Sequence, residues 1–181
     1  MRRSLVVHPD FHCDAVSRID VAVKRSGRMH VLLEYRVEGA IADLRLPAPS
    51  APTRSDELWQ HTCFEAFIRT GNDDPYFEFN FAPSTQWAAY RFDAYRAGMS
   101  PAPGINPPGI SVKADTSSFV LLATLALDGL TDFPGDGPLR LGLSAVIEET
   151  SGRKSWWALA HPPGRPDFHH RDCFALELPR I

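Results

Sequence analysis

The sequence has no apolar run near the roughly 20 residues that a membrane-spanning helix needs. The apolar run Leu5–Val7, close to the N-terminus, is too short for the core of a signal peptide, so a cytoplasmic protein without membrane contact is expected. Basic residues are also not in excess, since 19 Lys and Arg stand against 22 Asp and Glu. Because nothing in this balance favours phosphate neutralisation, nucleic acid is not expected as a partner.

Cysteine is scarce and widely spaced, at Cys13, Cys63 and Cys173, with no C-x-x-C pair. This usage predicts free thiols in a reducing compartment rather than a disulfide framework. The motifs G-x-S-x-G, G-x-G-x-x-G and the phosphate-binding P-loop are missing, so no nucleophile elbow or nucleotide fold is indicated and no cofactor is expected.

Histidines cluster near the C-terminus, at His161, His169 and His170, with Asp167 among them. Imidazoles and a carboxylate can hold zinc, but this spacing matches no motif of known geometry. We therefore predict no metal site and interpret these histidines as structural groups that cap loop carbonyls.

Short segments with alternating apolar and polar residues run through the whole chain and are separated by turn residues. No segment has the pattern of a long amphipathic helix, and most of the 16 prolines fall between the segments, as in the loop 96–110. The chain is predicted to be all-β: a single-domain, jelly-roll-like antiparallel β-sandwich over residues 1–181 with long proline-rich loops. It has about ten expected strands, including Ile41–Leu46.

The stretch Leu58–Arg96 is predicted to form three successive strands around which the site is built. Side chains in a strand alternate between faces, so one face is a phenylalanine-rich core that includes Phe79. The opposite face is predicted to bring together polar and aromatic side chains, and with a late tryptophan these form the candidate ligand-binding set: Trp59, Glu65, Glu78, Asn80, Gln86, Trp87, Arg91 and Trp157.

This combination suits a sugar, because flat aromatic rings cover its C–H faces and planar polar groups bind its hydroxyl rim. The competing interpretation makes Arg91 a purely structural partner that neutralises Glu65 and Glu78. For each tryptophan, core packing is the alternative.

The segments LWQHTCFEAFI, YFEFNFAPSTQWAAYRF and SWWALAHPPGRPDFHH resemble the DOMON-like superfamily, whose relatives include the family 9 carbohydrate-binding modules. The resemblance extends from about Val21 onward and implies a jelly-roll β-sandwich that binds a sugar or, in other branches, a haem. In the sugar-binding branch, Trp59 and Glu65 match two ligand-holding positions by spacing, and Trp156 or Trp157 is the third. Thr62 stands where relatives usually carry Asp, so a nearby calcium site is not carried over.

The sequence thus predicts a non-catalytic domain that recognises a carbohydrate or similar polyhydroxylated small molecule, with intracellular sugars as the expected source. Three alternatives stay open: a glycoside-processing enzyme that uses Glu65 and Glu78 as its acid and base, a haem- or metal-binding sandwich, and a protein-interaction module. The oligomeric state is left undetermined by the sequence.

Overall fold

The computed structural model describes residues 1–71, 75–130, 133 and 137–180. Most of the turn expected between Gly71 and Pro75, and part of the turn-rich connection expected before Leu139, lie outside this description. The described residues form three short 3-10 helices, at Ile41–Asp43, Leu58–Gln60 and Arg171–Cys173. Their strands are β1 (Arg2–Val7), β2 (Val16–Ser26), β3 (His30–Gly39), β4 (Cys63–Thr70), β5 (Tyr76–Phe81), β6 (Trp87–Phe92), β7 (Ser100–Pro101), β8 (Gly109–Ala114), β9 (Ser118–Ala126), β10 (Leu139–Glu148), β11 (Lys154–Ala158) and β12 (Leu176–Leu178).

These strands form one continuous antiparallel sheet in the order β7-β6-β5-β4-β10-β11-β1-β2-β3-β9-β8, with β12 pairing with β10 off this path. Strand β1 links the two halves: residues 2–5 pair with β2, whereas Val6 and Val7 pair with β11. The sheet curls at this strand so that its halves pack face to face. The expected all-β antiparallel sandwich is confirmed.

The main core fills the space between the two halves. Phe64 of β4 stacks on Phe119 of β9 with ring centroids 5.8 Å apart, and Phe79 of β5 is fully enclosed in the same cluster. The hydroxyl of Tyr35, from β3, donates a hydrogen bond of 2.7 Å to the backbone carbonyl of Glu65 in β4. A buried phenol needs such a partner, and this bond ties the two layers together directly beneath Glu65.

Two expected strands differ in the structure. Ile41–Leu46 was expected to be extended, but Ile41–Asp43 is a 3-10 helix and only Leu44 makes an isolated bridge, to Glu149. The central strand expected from Leu58 begins at Cys63, because Leu58–Gln60 closes a 3-10 turn after Glu57. None of the described helices combines the length and apolar character needed to cross a membrane.

Candidate functional site

The second face of the β4-β5-β6 region, away from the main core, carries the buried polar groups. In the β4–β5 register Glu65 pairs with Asn80, and Phe67 pairs with Glu78. Directly paired residues point to the same side of a sheet, so Glu65, Glu78 and Asn80 share this face as the alternation predicted. All three are buried.

A cavity of about 330 Å³ opens above this face. Its volume lies near the lower end of the range for small-molecule sites, which favours a small ligand. The floor comes from β4, β5 and β6, and the walls come from the 3-10 turn before β4, from the loop after β6, from β10 and β11, and from the loop that precedes the last 3-10 helix. The lining residues are Trp59, Glu65, Glu78, Phe92, Arg96, Met99, Val146, Trp156, Pro166, Phe168 and His169.

Glu65 lies on the cavity floor with only 3% of its surface exposed. Its carboxyl accepts one long hydrogen bond, 3.4 Å, from the hydroxyl of Ser144 on the neighbouring strand β10. Burial, reinforced by the neighbouring Glu78 carboxylate, raises the pKa of Glu65 well above its ordinary value. The ionised form of this carboxyl is therefore disfavoured where it stands.

The carboxyl of Glu78 has a shorter hydrogen bond than that of Glu65. Its Oε1 accepts a hydrogen bond of 2.7 Å from Nδ2 of Asn80, which favours the ionised form. Burial acts in the opposite direction and is the larger effect, so the pKa of Glu78 rises from 4.5 to about 7. The two carboxyls thus face one cavity, and burial disfavours the ionised form of both.

His169 closes one side of the cavity. Its Nδ1 lies 2.8 Å from the hydroxyl of Tyr76, and that hydroxyl accepts a hydrogen bond from the backbone N–H of Arg96. Burial, with help from the charge of Arg96, lowers the pKa of His169 to about 4, so the ring is neutral at physiological pH. We assign Nδ1 as the acceptor of the Tyr76 proton, which leaves Nε2–H directed towards Glu78.

Arg96 lines the cavity but does not bond to the glutamates. Its backbone has a φ of 52°, a left-handed conformation in the turn after β6. Its guanidinium is held by Asp167 through Nε at 3.1 Å and Nη2 at 2.8 Å. This pair joins the loop after β6 to the C-terminal loop and so fixes two of the walls.

The flat apolar walls come from two tryptophans and two phenylalanines. Trp59, in the 3-10 helix Leu58–Gln60, leaves 37% of its surface exposed, and its ring packs edge-on against Tyr90 at 6.0 Å. Trp156 packs against Phe11, with ring centroids 4.3 Å apart. An exposed indole beside buried carboxyls is the arrangement that a sugar ring would use.

Trp87 and Arg91 do not join this site, contrary to the prediction. In the β5–β6 register Phe81 pairs with Trp87 and Phe77 pairs with Arg91, so both point to the phenylalanine side of the sheet. Trp87 is buried in the main core, and Arg91 makes an ion pair with Asp93. Arg91 therefore does not neutralise the glutamates. The error arose because alternation was extended across the turn between β5 and β6, where it carries no information.

Trp157 and Gln86 also lie elsewhere. Trp157 packs in the main core and its indole N–H donates a 3.0 Å hydrogen bond to Ser155, whereas its neighbour Trp156 faces the cavity. Gln86 sits in the turn before β6, accepts a hydrogen bond from Ser84, and borders a separate hollow of about 510 Å³ lined by loop residues. Of the eight predicted residues, those that line the cavity are Trp59, Glu65 and Glu78, with Asn80 bonded to the last of them.

Sequence reasoning missed most of the walls, namely Phe92, Arg96, Met99, Val146, Pro166 and Phe168. Only Phe92 carried a usable signal, because it alternates with Tyr90 on the strand face opposite Trp87. His169 was interpreted as structural but lies inside the site. His161 faces the carbonyl of Val6 at 2.8 Å, and His170 instead accepts from the backbone N–H of Asp172.

Within the described parts of the chain, no three or more His, Cys, Asp or Glu side chains are grouped so that they could hold a metal ion. Asn80 and Ser144 are buried on the same face as the glutamates and donate to their carboxyls, and the thiol of Cys63 lies 3.8 Å from Oδ1 of Asn80. Tyr35 approaches from the core side and bonds the backbone carbonyl of Glu65, not its carboxyl.

Among solved structures, the fold matches a candidate carbohydrate-binding protein from Bacteroides uniformis with a TM-score of 0.69 and 17% sequence identity, covering 95% of this chain and 83% of that chain. A family 9 carbohydrate-binding module from Caldicellulosiruptor kristjanssonii in complex with glucose matches with a TM-score of 0.46 and 12% identity, covering 81% of this chain and 69% of that one. The same kind of module in complex with cellotriose matches with a TM-score of 0.47 and 12% identity, covering 86% of this chain and 75% of that one. No protein-family model and no curated protein matches the chain. At these identities the first likeness shows the β-sandwich fold alone, and the other two are too distant to support an inference.

Proposed function

We propose that the protein binds a small carbohydrate, or a similar polyhydroxylated molecule, in the cavity between Trp59 and Trp156 without transforming it. The observation that carries the proposal is the pair of buried carboxyls, Glu65 and Glu78, on the floor of a cavity with aromatic walls. The cavity is small and concave, as expected for a site that encloses one ligand.

The polar floor offers the hydrogen-bonding pattern that adjacent hydroxyls need. A protonated Glu65 can donate and accept, Glu78 accepts, and Nε2–H of His169 donates. The indole of Trp59 offers an exposed flat face for sugar C–H groups. The fold is shared with a protein described as a candidate carbohydrate-binding protein, which supports the same ligand class.

A thermal-shift screen against mono- and disaccharides, sugar phosphates and nucleotide sugars tests this. A ligand at a hundred times its Kd should add about 2.7 kcal/mol to the free energy of unfolding. The shift should disappear in Trp59→Ala and in Glu65→Gln, and calorimetry should show weakened binding in both.

Two controls lie on the other half of the sandwich, Leu32→Ala on an exposed apolar side chain and Glu38→Gln on an exposed carboxylate. Both should keep the full shift. The proposal fails if no polyol raises the melting temperature, or if a hit survives both cavity substitutions.

A glycoside-processing enzyme is the second candidate, favoured by one observation: two carboxyls with raised pKa values face one cavity, and that of Glu78 is about 7. Such a pair could supply an acid and a base. If so, the protein should release nitrophenol from a nitrophenyl glycoside, and Glu78→Gln should stop turnover while leaving binding intact. We expect binding without hydrolysis.

A further inference from the structure

The carboxyl of Glu65 has capacity for a partner that the protein does not supply. It is almost fully buried and lines the cavity, and the one side chain bonded to it is Ser144, at 3.4 Å from Oε2. In the described part of the chain, no donor bonds to Oε1, and this oxygen is not among the fully enclosed atoms that lack a partner, so it is open to the cavity. A group that enters the cavity can therefore donate a hydrogen bond to it, and a charged donor forms the stronger bond.

Glu78 is also incompletely satisfied. Its Oε1 accepts from Asn80, but its Oε2 lies 3.7 Å from Nε2 of His169, which is beyond an ordinary hydrogen bond. His169 is neutral above about pH 4 and brings no charge to this contact. A second acceptor therefore also points into the cavity.

No lysine or arginine in the described residues forms a direct ion pair with either glutamate, Glu65 or Glu78. Arg96 is the cation that lines the cavity; its charge acts on both glutamates from a distance, while Asp167 occupies its guanidinium through two hydrogen bonds. The floor of the cavity thus has two acidic groups without a directly bonded cation.

The walls are suited to a cation as well. Trp59, Phe92, Trp156 and Phe168 all line the cavity, and the faces of aromatic rings attract positively charged groups. A neutral hydroxyl can bond to a carboxyl but leaves its charge uncompensated. An ammonium group donates up to three hydrogen bonds, neutralises carboxylate charge and interacts favourably with aromatic faces.

We propose that this cavity selects sugars that carry a protonated amine, with the ammonium group bound between Glu65 and Glu78 and the sugar ring against the aromatic walls. The inference rests on the proposed function, since it specifies which class of polyhydroxylated ligand the same site takes.

The test compares ligands that differ by one group. Glucosamine and 6-amino-6-deoxyglucose each replace a single hydroxyl of glucose by an amine, while N-acetylglucosamine keeps the nitrogen but removes its charge. Calorimetry at neutral pH with the full chain should show at least one amino sugar binding about ten- to a hundredfold more tightly than glucose and N-acetylglucosamine, the range of one charge-assisted hydrogen bond.

Conservative variants test whether Glu65 and Glu78 cause the preference for an amino sugar. Glu65→Gln and Glu78→Gln keep the size of the side chain but remove its ability to carry negative charge, so each should reduce the ratio of amino-sugar to glucose affinity towards one. Glu38→Gln makes the same change at an exposed carboxylate of β3 and should leave the ratio unchanged.

The two proposals fail differently. If glucose or N-acetylglucosamine binds as tightly as every amino sugar, selection by charge is overturned and sugar recognition stands. If an amino sugar is preferred but the preference survives both glutamine variants, the assignment to Glu65 and Glu78 is overturned. If neither neutral nor amino sugars bind, both proposals are overturned.

Discussion

Nε2 of His169 lies 3.7 Å from Oε2 of Glu78, yet the pKa values of the two groups oppose an ion pair between them. Burial lowers the pKa of His169 to about 4 and raises that of Glu78 to about 7, so the imidazole loses its charge before the carboxyl gains one. In each case burial disfavours the charged form, because the cavity floor is shielded from water.

Glu78→Gln should become more stable relative to the wild type as the pH rises. The pKa of Glu78 is about 7 in the folded protein and 4.5 is its ordinary value, so between these limits the folded state holds a proton that the unfolded chain releases. Ionisation of this group therefore lowers the free energy of unfolding as the pH rises, by about 3 kcal/mol in total. Glutamine cannot ionise and escapes this loss.

Urea unfolding of both proteins at about pH 5 and about pH 8 measures the effect. The comparison is made as a difference because His169 acts in the opposite sense: its lowered pKa makes stability fall as the pH drops from 6.5 to about 4. If the free energies of unfolding of the wild type and the variant differ by the same amount at both pH values, Glu78 has an ordinary pKa.

Adjacent tryptophans of β11 should respond differently to substitution. Trp157→Ala removes a large side chain from the main core and should lower the free energy of unfolding by about 3 to 5 kcal/mol. Trp156→Ala opens a wall of the cavity, so it should weaken ligand binding and should lower the free energy of unfolding less than Trp157→Ala does. Denaturant unfolding and calorimetry of both variants check the assignment. If Trp156→Ala instead destabilises the fold and Trp157→Ala weakens binding, then Trp156 faces the core and Trp157 faces the cavity.

Phe79→Ala should leave a cavity between the two layers of the sandwich. The side chain is 1% exposed and packs in the main core, so the expected cost is about 3 to 5 kcal/mol. Leu32→Ala, at an exposed position of β3, is the matched control and should cost about 0.5 kcal/mol or less. Equal costs would contradict the placement of Phe79 between the layers.

The three cysteines should be poorly reactive in the folded protein. Cys63 and Cys173 are buried and Cys13 is half-buried, and burial raises the pKa of each thiol, that of Cys173 to about 12. Since the thiolate is the reactive species, Ellman's reagent at about pH 8 should label only Cys13, and slowly. After unfolding in guanidinium all three should react at once. Rapid labelling of two thiols in the native state would show that the core opens more readily than the packing indicates.

The sequence alone determined the all-β class and the shared face of Glu78 and Asn80 within β5. Alternation within a strand follows from backbone geometry, whereas the pairing of Glu65 with Asn80 across β4 and β5 is set by the register of the sheet. The same reasoning identified Phe79 as a candidate for the core, and the structure places it there.

The tertiary structure alone decided the rest of the site. Residues 82–86 between β5 and β6 set Phe81 opposite Trp87, and this register moved Trp87 and Arg91 to the other face. Arg96, Trp156 and His169 reach the cavity from separate loops and strands, joined in part by the pair between Arg96 and Asp167. Local periodicity carries no information about contacts between residues so far apart along the chain, because those contacts depend on how the curled sheet closes over its own loops.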